Sequence, residues 1–264
     1  MKTTGYIKVA AIFAFAATLA LCAAFPRNAS AALTAIANHD DIKVDFFYHG
    51  SEVTVRGFSD PGVDLVIKIT SPESHQALKK KGKVGGFLWM NTGDLNLENV
   101  PNLYLMTATK KPEEILGQGE MDVSVIGFTA LKKHVEMSPA SGEEDRTRWF
   151  DEFVKFKENS DLYLVTSGNI KIEDKDGKKF YFTRFAWPYQ APPGDYTVTV
   201  YGIKDGKVVE KAEAKVLVEQ VGTVKFLAGM AKNQGAIYGA LSILAAIGAG
   251  FGVGLVFGKG GGAH

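Results

Sequence analysis

A single cysteine, Cys22, is the only thiol in this chain of 264 residues, and it falls in an apolar run near the N-terminus. Without a second thiol, the rest of the chain has no disulfide and no cysteine-based zinc site, so packing alone must stabilise it. Leu21 stands where a lipid-attachment site needs a small residue, so Cys22 reads as one more apolar residue of that run. An excess of one charge is missing too: 30 basic and 29 acidic residues leave a net of +1. That balance argues against a nucleic-acid partner, which calls for a concentrated basic surface. There is no G-x-S-x-G elbow, Walker loop or dinucleotide fingerprint. Gly82-Lys83-Val84-Gly85-Gly86 has glycines but no following helix or Lys-Ser/Thr pair to cradle a phosphate. The five histidines, His39, His49, His75, His134 and His264, are scattered, with no pair at the spacing of a zinc helix. Asp40-Asp41 and Glu143-Glu144 read as loop and helix-start charges. These absences predict a protein that is not an enzyme and holds no cofactor.

What the chain does have lies first at its two ends. From Ala236 to Phe257 there is no charged side chain, only Ala, Leu, Ile, Val, Phe and Gly with one Tyr and one Ser. About 22 residues at 1.5 Å rise span roughly 33 Å, enough to cross a hydrocarbon core of about 30 Å. At the other end, Lys2 and Lys8 precede an apolar run from Val9 to Phe25, and Ala29-Ser30-Ala31 offers an A-x-A cleavage site. The expected organisation is a signal peptide at 1–31, an exported β region at 32–224 and a linker at 225–235. A membrane helix at 236–257 and a short tail at 258–264 on the cytoplasmic side complete it. If the first run is an uncleaved anchor instead, its cationic flank still sends the bulk of the chain to the far side. Cleavage removes Lys2, Lys8 and Arg27 but no acid, turning the net charge from +1 to about −2.

Glycines punctuate the C-terminal helix. Gly235/Gly239, Gly248/Gly252, Gly250/Gly254 and Gly254/Gly258 each satisfy G-x-x-x-G, which sets both glycines on one face where another helix can approach closely. The pattern predicts packing against a second integral membrane protein or against another copy of the chain. The rival reading is that glycine is simply common in membrane helices.

The exported region reads mostly as strand. Ile42–Phe46, Val53–Val55 and Val63–Ile69 alternate apolar and polar residues, with Asp60-Pro61-Gly62 as a turn. Asp205-Gly206 sits between two alternating runs and predicts a hairpin, as does Asp176-Gly177 between Ile170–Glu173 and Phe180–Thr183. Pro192-Pro193-Gly194-Asp195-Tyr196 resembles the corner before a late strand of immunoglobulin-like sandwiches, where a tyrosine ties back to the preceding turn. About ten short strands favour an immunoglobulin-like β-sandwich, one large or two small. One amphipathic helix interrupts them. Ser141 and Glu144 suggest a capping box, and Trp149, Phe150, Phe153 and Val154 recur at helical spacing.

The stretch from Gly86 to Ala108 is the richest in distinctive residues. Trp89, Met90 and Asn91 are expected to end a strand, with Val100–Tyr104 beginning the next. One reading makes Trp89 a core residue and Asn91 a turn cap; the other makes the trio a recognition edge. Lys79, Lys80, Lys81 and Lys83 form an expected positive loop that could take an anion or touch anionic lipid head groups. His134 and Met137, with Met90, Met106 and Met121, supply the donors that copper would accept. A periplasmic anion- or copper-binding protein is therefore the alternative to an interaction module.

W-M-N followed by V-P-x-L-Y, the helix before L-Y-L-V, P-x-x-A-P-P-G-x-Y-x-V-x-V and the Y-G-rich anchor together resemble a family of uncharacterised transmembrane proteins of this length described from alphaproteobacteria. The resemblance covers about Ile42 to Lys259. It implies a bacterial inner-membrane protein with its bulk in the periplasm and suggests an accessory subunit beside a permease of the sulfite-exporter type; the family has no established activity, and no catalytic residue is carried over from it.

Overall fold

The computed structural model describes residues 33–38, 41–175 and 177–257; the expected signal peptide, Cys22, His39, Asp176, Gly258, Lys259 and His264 lie outside them. Among the described residues thirteen strands form three sheets. The first sheet has four strands: β1 (Ile36–Ala37), β3 (Ser51–Ser59), β11 (Lys178–Trp187) and β10 (Lys171–Lys175), in that order. The second has six: β2 (Asp41–Val44), β13 (Lys207–Gln220), β12 (Gly194–Lys204), β4 (Asp64–Thr70), β7 (Tyr104–Ala108) and β9 (Tyr163–Ser167). The third joins β5 (Glu73–Val84), β6 (Leu88–Pro101) and β8 (Glu136–Ser138).

The first two sheets share one core and make a β-sandwich. Strand alternation decides which side chains face it. In the second sheet Ile69 opposes Val198 and Ile67 opposes Val200. Tyr196 has the same parity and meets Trp187 of the first sheet edge-on, with ring centroids 4.8 Å apart. The Tyr196 hydroxyl donates to the Pro192 carbonyl at 2.5 Å, forming the expected corner.

A sandwich strand should leave its other face to water, yet all five central residues of β4 are buried, Lys68 included. The reason is the parallel pairing of β7 with β9. Parallel neighbours need a long crossover, and here residues 109–162 supply it and cover the outer face of the sheet. Four helices lie in that crossover: α1 (Pro112–Ile115), α2 (Gln118–Ser124), α3 (Phe128–His134) and α4 (Glu143–Glu158). Sequence reasoning found only the last. The others are no longer than seven residues, too short for periodicity, although Pro112 followed by Glu113 and Glu114 is a helix-start signal. The expected capping box of α4 does not form: Gly142 is the N-cap, and Asp145 instead accepts from the Ser141 amide at 3.3 Å.

The crossover is fastened by aromatic rings. Tyr104 and Tyr163 lie 5.9 Å apart, Phe128 stacks on Tyr163 at 6.2 Å, and Phe153 of α4 meets Tyr163 edge-on at 5.6 Å. Buried hydroxyls must find acceptors. Tyr104 donates to the Val125 carbonyl at 2.8 Å and Tyr163 to the Pro101 carbonyl at 2.7 Å. Lys68 donates to the Ser124 and Val125 carbonyls at 2.6 and 3.3 Å, a cation at the C-terminus of α2.

Burial lowers the Lys68 ammonium from 10.5 to about 8, helped by the nearby Lys211 charge, and burial alone brings Lys157 of α4 to about 8. Burial also raises Tyr104, Tyr163, Tyr181 and Tyr196 above the ordinary phenol value. Below pH 8 both lysines are charged in either state, and the folded chain bears the full desolvation cost. Between 8 and 10.5 the unfolded chain binds more protons, so stability rises with pH. Above about 10 the unfolded tyrosines ionise first, and stability falls. Denaturant titration of the full-length protein in micelles should show a gain of order 2 kcal/mol per lysine from pH 7 to about 9.5, then a decline. A flat profile to pH 9.5 would refute the burial of both lysines.

Register also shows which ends of the strands lie together. Gly194 opposes Val218, Thr197 opposes Thr70, and Thr70 opposes Tyr104, whose parallel neighbour is Tyr163. The chain leaves the sandwich from this same end after Gln220, entering α5 (Gly222–Asn233) and then α6 (Gly235–Phe257). The β5–β6 hairpin is inserted between Thr70 and Tyr104, so it springs from that end as well.

Candidate functional site

The hairpin is long and mostly uncovered. β5 has 12 residues and β6 has 14, and they turn through Gly85 and Gly86, both at positive φ, which glycine adopts without strain. The four lysines are therefore strand residues, not a loop. Trp89, Met90 and Asn91 open β6 rather than ending a strand, because the chain has only just turned. Trp89 is 64% exposed and Met90 48%, which overturns the reading of Trp89 as core. Asn91 does act as a local cap: its side-chain oxygen accepts from the Gly93 amide at 3.2 Å, beside an irregularity in register at Lys80/Lys81.

Between the hairpin and α4 runs a groove of about 830 Å³. Leu78, Trp89 and Leu95 line it from the hairpin, Trp149, Phe153 and Phe156 from the helix. Helical spacing explains the division of α4: Phe150, Phe153 and Val154 are buried, while Trp149 and Phe156 sit at the groove. Two cations lie over the Trp149 ring, Lys80 at 4.8 Å and Arg148 at 5.1 Å from the centroid. Lys80 also donates to the Pro139 carbonyl at 3.1 Å, and Lys79 pairs with Asp94 across the strands at 2.5 Å. Lys83 lies over Trp89 at 5.3 Å. An apolar floor rimmed by cations suits a partner with apolar and anionic groups.

The proposed copper donors do not converge. Met106 is in the core beside the Tyr104 hydroxyl, Met121 is buried in α2, and Met90 is near the hairpin tip. His134 contacts Glu73 at 2.7 Å and His75 contacts Glu98 at 2.6 Å. Among the described residues no three His, Cys, Asp or Glu side chains gather at one point.

At the other candidate surface, α6 is 23 residues long, about 35 Å, and none of its apolar stretch is covered by the rest of the molecule. A Cβ added at Gly235, Gly239, Gly248, Gly250, Gly252 or Gly254 would meet nothing within 4 Å. Ile247, Gly250, Phe251, Gly254 and Leu255 border a shallow groove of about 450 Å³ where the glycines leave the helix notched.

A β-sandwich carrying, among the described residues, one helix long and apolar enough to cross a bilayer fits a membrane protein. The chain belongs to the family described as "Putative transmembrane protein (Alph_Pro_TM)", whose model matches residues 32–259, and the family name implies an alphaproteobacterial origin. No curated protein matches the chain.

Proposed function

We propose that this is a non-catalytic accessory subunit of a transporter or other membrane complex. It is held in the inner membrane by α6, with the sandwich in the periplasm. The carrying observation is the glycine-notched helix, whose every described glycine faces open space within the chain. Lipid gains little from glycine, whereas a second helix gains close approach. Lys2 and Lys8 before an apolar N-terminal run support export of the body. The Tyr196–Pro192 corner supports an immunoglobulin-like reading of the sandwich, an architecture that recurs in interaction domains.

The test is crosslinking in intact cells, followed by purification in mild detergent and identification of the attached membrane protein. Gly250→Ile and Gly254→Ile should each weaken the association by at least about tenfold, since a branched side chain holds two helices apart. A monodisperse monomer with no associated membrane protein would defeat the proposal, as would a reporter fused after Lys225 found in the cytosol.

A further inference from the structure

The described residues place exposed aromatic side chains very unevenly. Outside α5 and α6, the large exposed aromatics are Phe46, Phe47, Phe87, Trp89, Phe156 and Tyr189. Phe46 and Phe47 follow β2, whose Val44 opposes Gln220 and accepts a hydrogen bond from the Val221 amide at 3.0 Å. Tyr189 lies between Trp187, which opposes Ser51, and Gly194, which opposes Val218. Phe156 is near the end of α4, two residues before the helix ends and the chain enters β9 beside Tyr104. Phe87 and Trp89 are at the tip of the hairpin that springs from this end. All six therefore belong to the end of the sandwich from which the anchor leaves, or to the arm that starts there. The opposite end, at the Asp205–Gly206 turn, presents none.

That arm is longer than the linker to the anchor. The 12 residues of α5 are about 18 Å long, whereas the 12 residues of β5 extend about 40 Å. Its tip combines Phe87 at 83%, Leu88 at 51% and Trp89 at 64% exposure with Lys81 and Lys83, neither of which has an ion pair among the described residues. Aromatic rings favour the membrane–water interface, and lysines beside it attract anionic head groups.

We propose that the β5–β6 hairpin is a second membrane contact, its Phe87–Trp89 tip inserted at the interface of an anionic bilayer and its lysines on the head groups. The Phe46–Phe47 loop rests on the same surface. The sandwich is thereby held down at two points, the anchor and the arm, and its orientation over the membrane is set. The inference rests on the membrane span and not on the accessory role.

The experiment uses the full-length chain with Cys22→Ser, reconstituted in vesicles of phosphatidylglycerol and phosphatidylcholine. A nitroxide is attached at Leu88→Cys or, as reference, at Lys207→Cys beside the far turn. The expected result is that the Leu88 label collides readily with oxygen and poorly with a water-soluble nickel chelate, while the Lys207 label does the reverse. Replacing Lys81 or Lys83 by Gln should lower the ratio of inserted to water-exposed tip by about fivefold each. Vesicles of phosphatidylcholine alone should release the tip. Equal nickel accessibility at the two labels in embedded protein would overturn the proposal. Shielding of the Leu88 label from both reagents would also overturn it, because it would show a protein rather than lipid over the tip. Insertion of equal extent in both lipids would overturn the role of the lysines.

Discussion

Phe153→Ala should lower the stability of the full-length protein by about 3–5 kcal/mol, measured by denaturant unfolding in micelles. Phe153 is 2% exposed and stands edge-on to Tyr163, which in turn touches Tyr104 and Phe128. Removing the ring leaves a cavity where helices α3 and α4 meet the six-stranded sheet, and the neighbouring rings, held by α3, β7 and β9, cannot easily collapse into it. The floor of the hairpin groove is lost at the same time, because the same ring lines it. Phe156→Ala provides the control: its side chain is 54% exposed, and the change should stay within about 0.5 kcal/mol. Equal effects from the two substitutions would refute the packing described for α4.

Gly57→Val should be as damaging for a different reason. A Cβ at Gly57 of β3 would overlap the Thr34 carbonyl oxygen and come within 2.6 Å of the Tyr181 hydroxyl. Those two groups are hydrogen-bonded to each other, Tyr181 donating, and the Thr34 amide donates to the Phe58 carbonyl at 3.1 Å. The crowding atom belongs to the backbone and cannot rotate away. Valine must therefore expel residues 33–37 from the sandwich edge, which buries Leu33 and Ala37. The expected loss is about 3 kcal/mol or more. It should come with early proteolysis or fast amide exchange confined to the 33–37 segment and its partner β3. Unchanged protection of that segment would show that β1 tolerates a side chain there.

Some of the fold was legible because its causes are local. Alternation in β3, β12 and β13 and the Asp205-Gly206 turn follow from backbone geometry, and so does the tyrosine corner at Pro192. The amphipathic face of α4 was equally plain, since Phe150, Phe153 and Val154 share one side of any helix. The capping box fails because Ser141 lies one residue too early: Gly142 takes the N-cap, and Asp145 accepts from the Ser141 amide before it. Alternation across Val63–Ile69 puts Lys68 opposite the core side, which means solvent only while that face meets water. The crossover that buries it comes some forty residues later and carries no mark of its destination.

The candidate site divides in the same way. The richness of Gly86–Ala108 was visible, but not that the chain reverses at Gly85-Gly86 and leaves Trp89 on an arm. A tryptophan in an apolar run such as Phe87–Met90 resembles core until the covering layer is found to be missing.

The sequence by itself determined that the chain ends in an apolar, glycine-notched helix and that its body is disulfide-free β-structure, because both follow from composition and short-range periodicity. Only the tertiary structure decided that the lysine-rich hairpin and the anchor leave the same end of the sandwich. Strand order and direction depend on pairings between residues as far apart as Thr70 and Thr197, where no local propensity reaches.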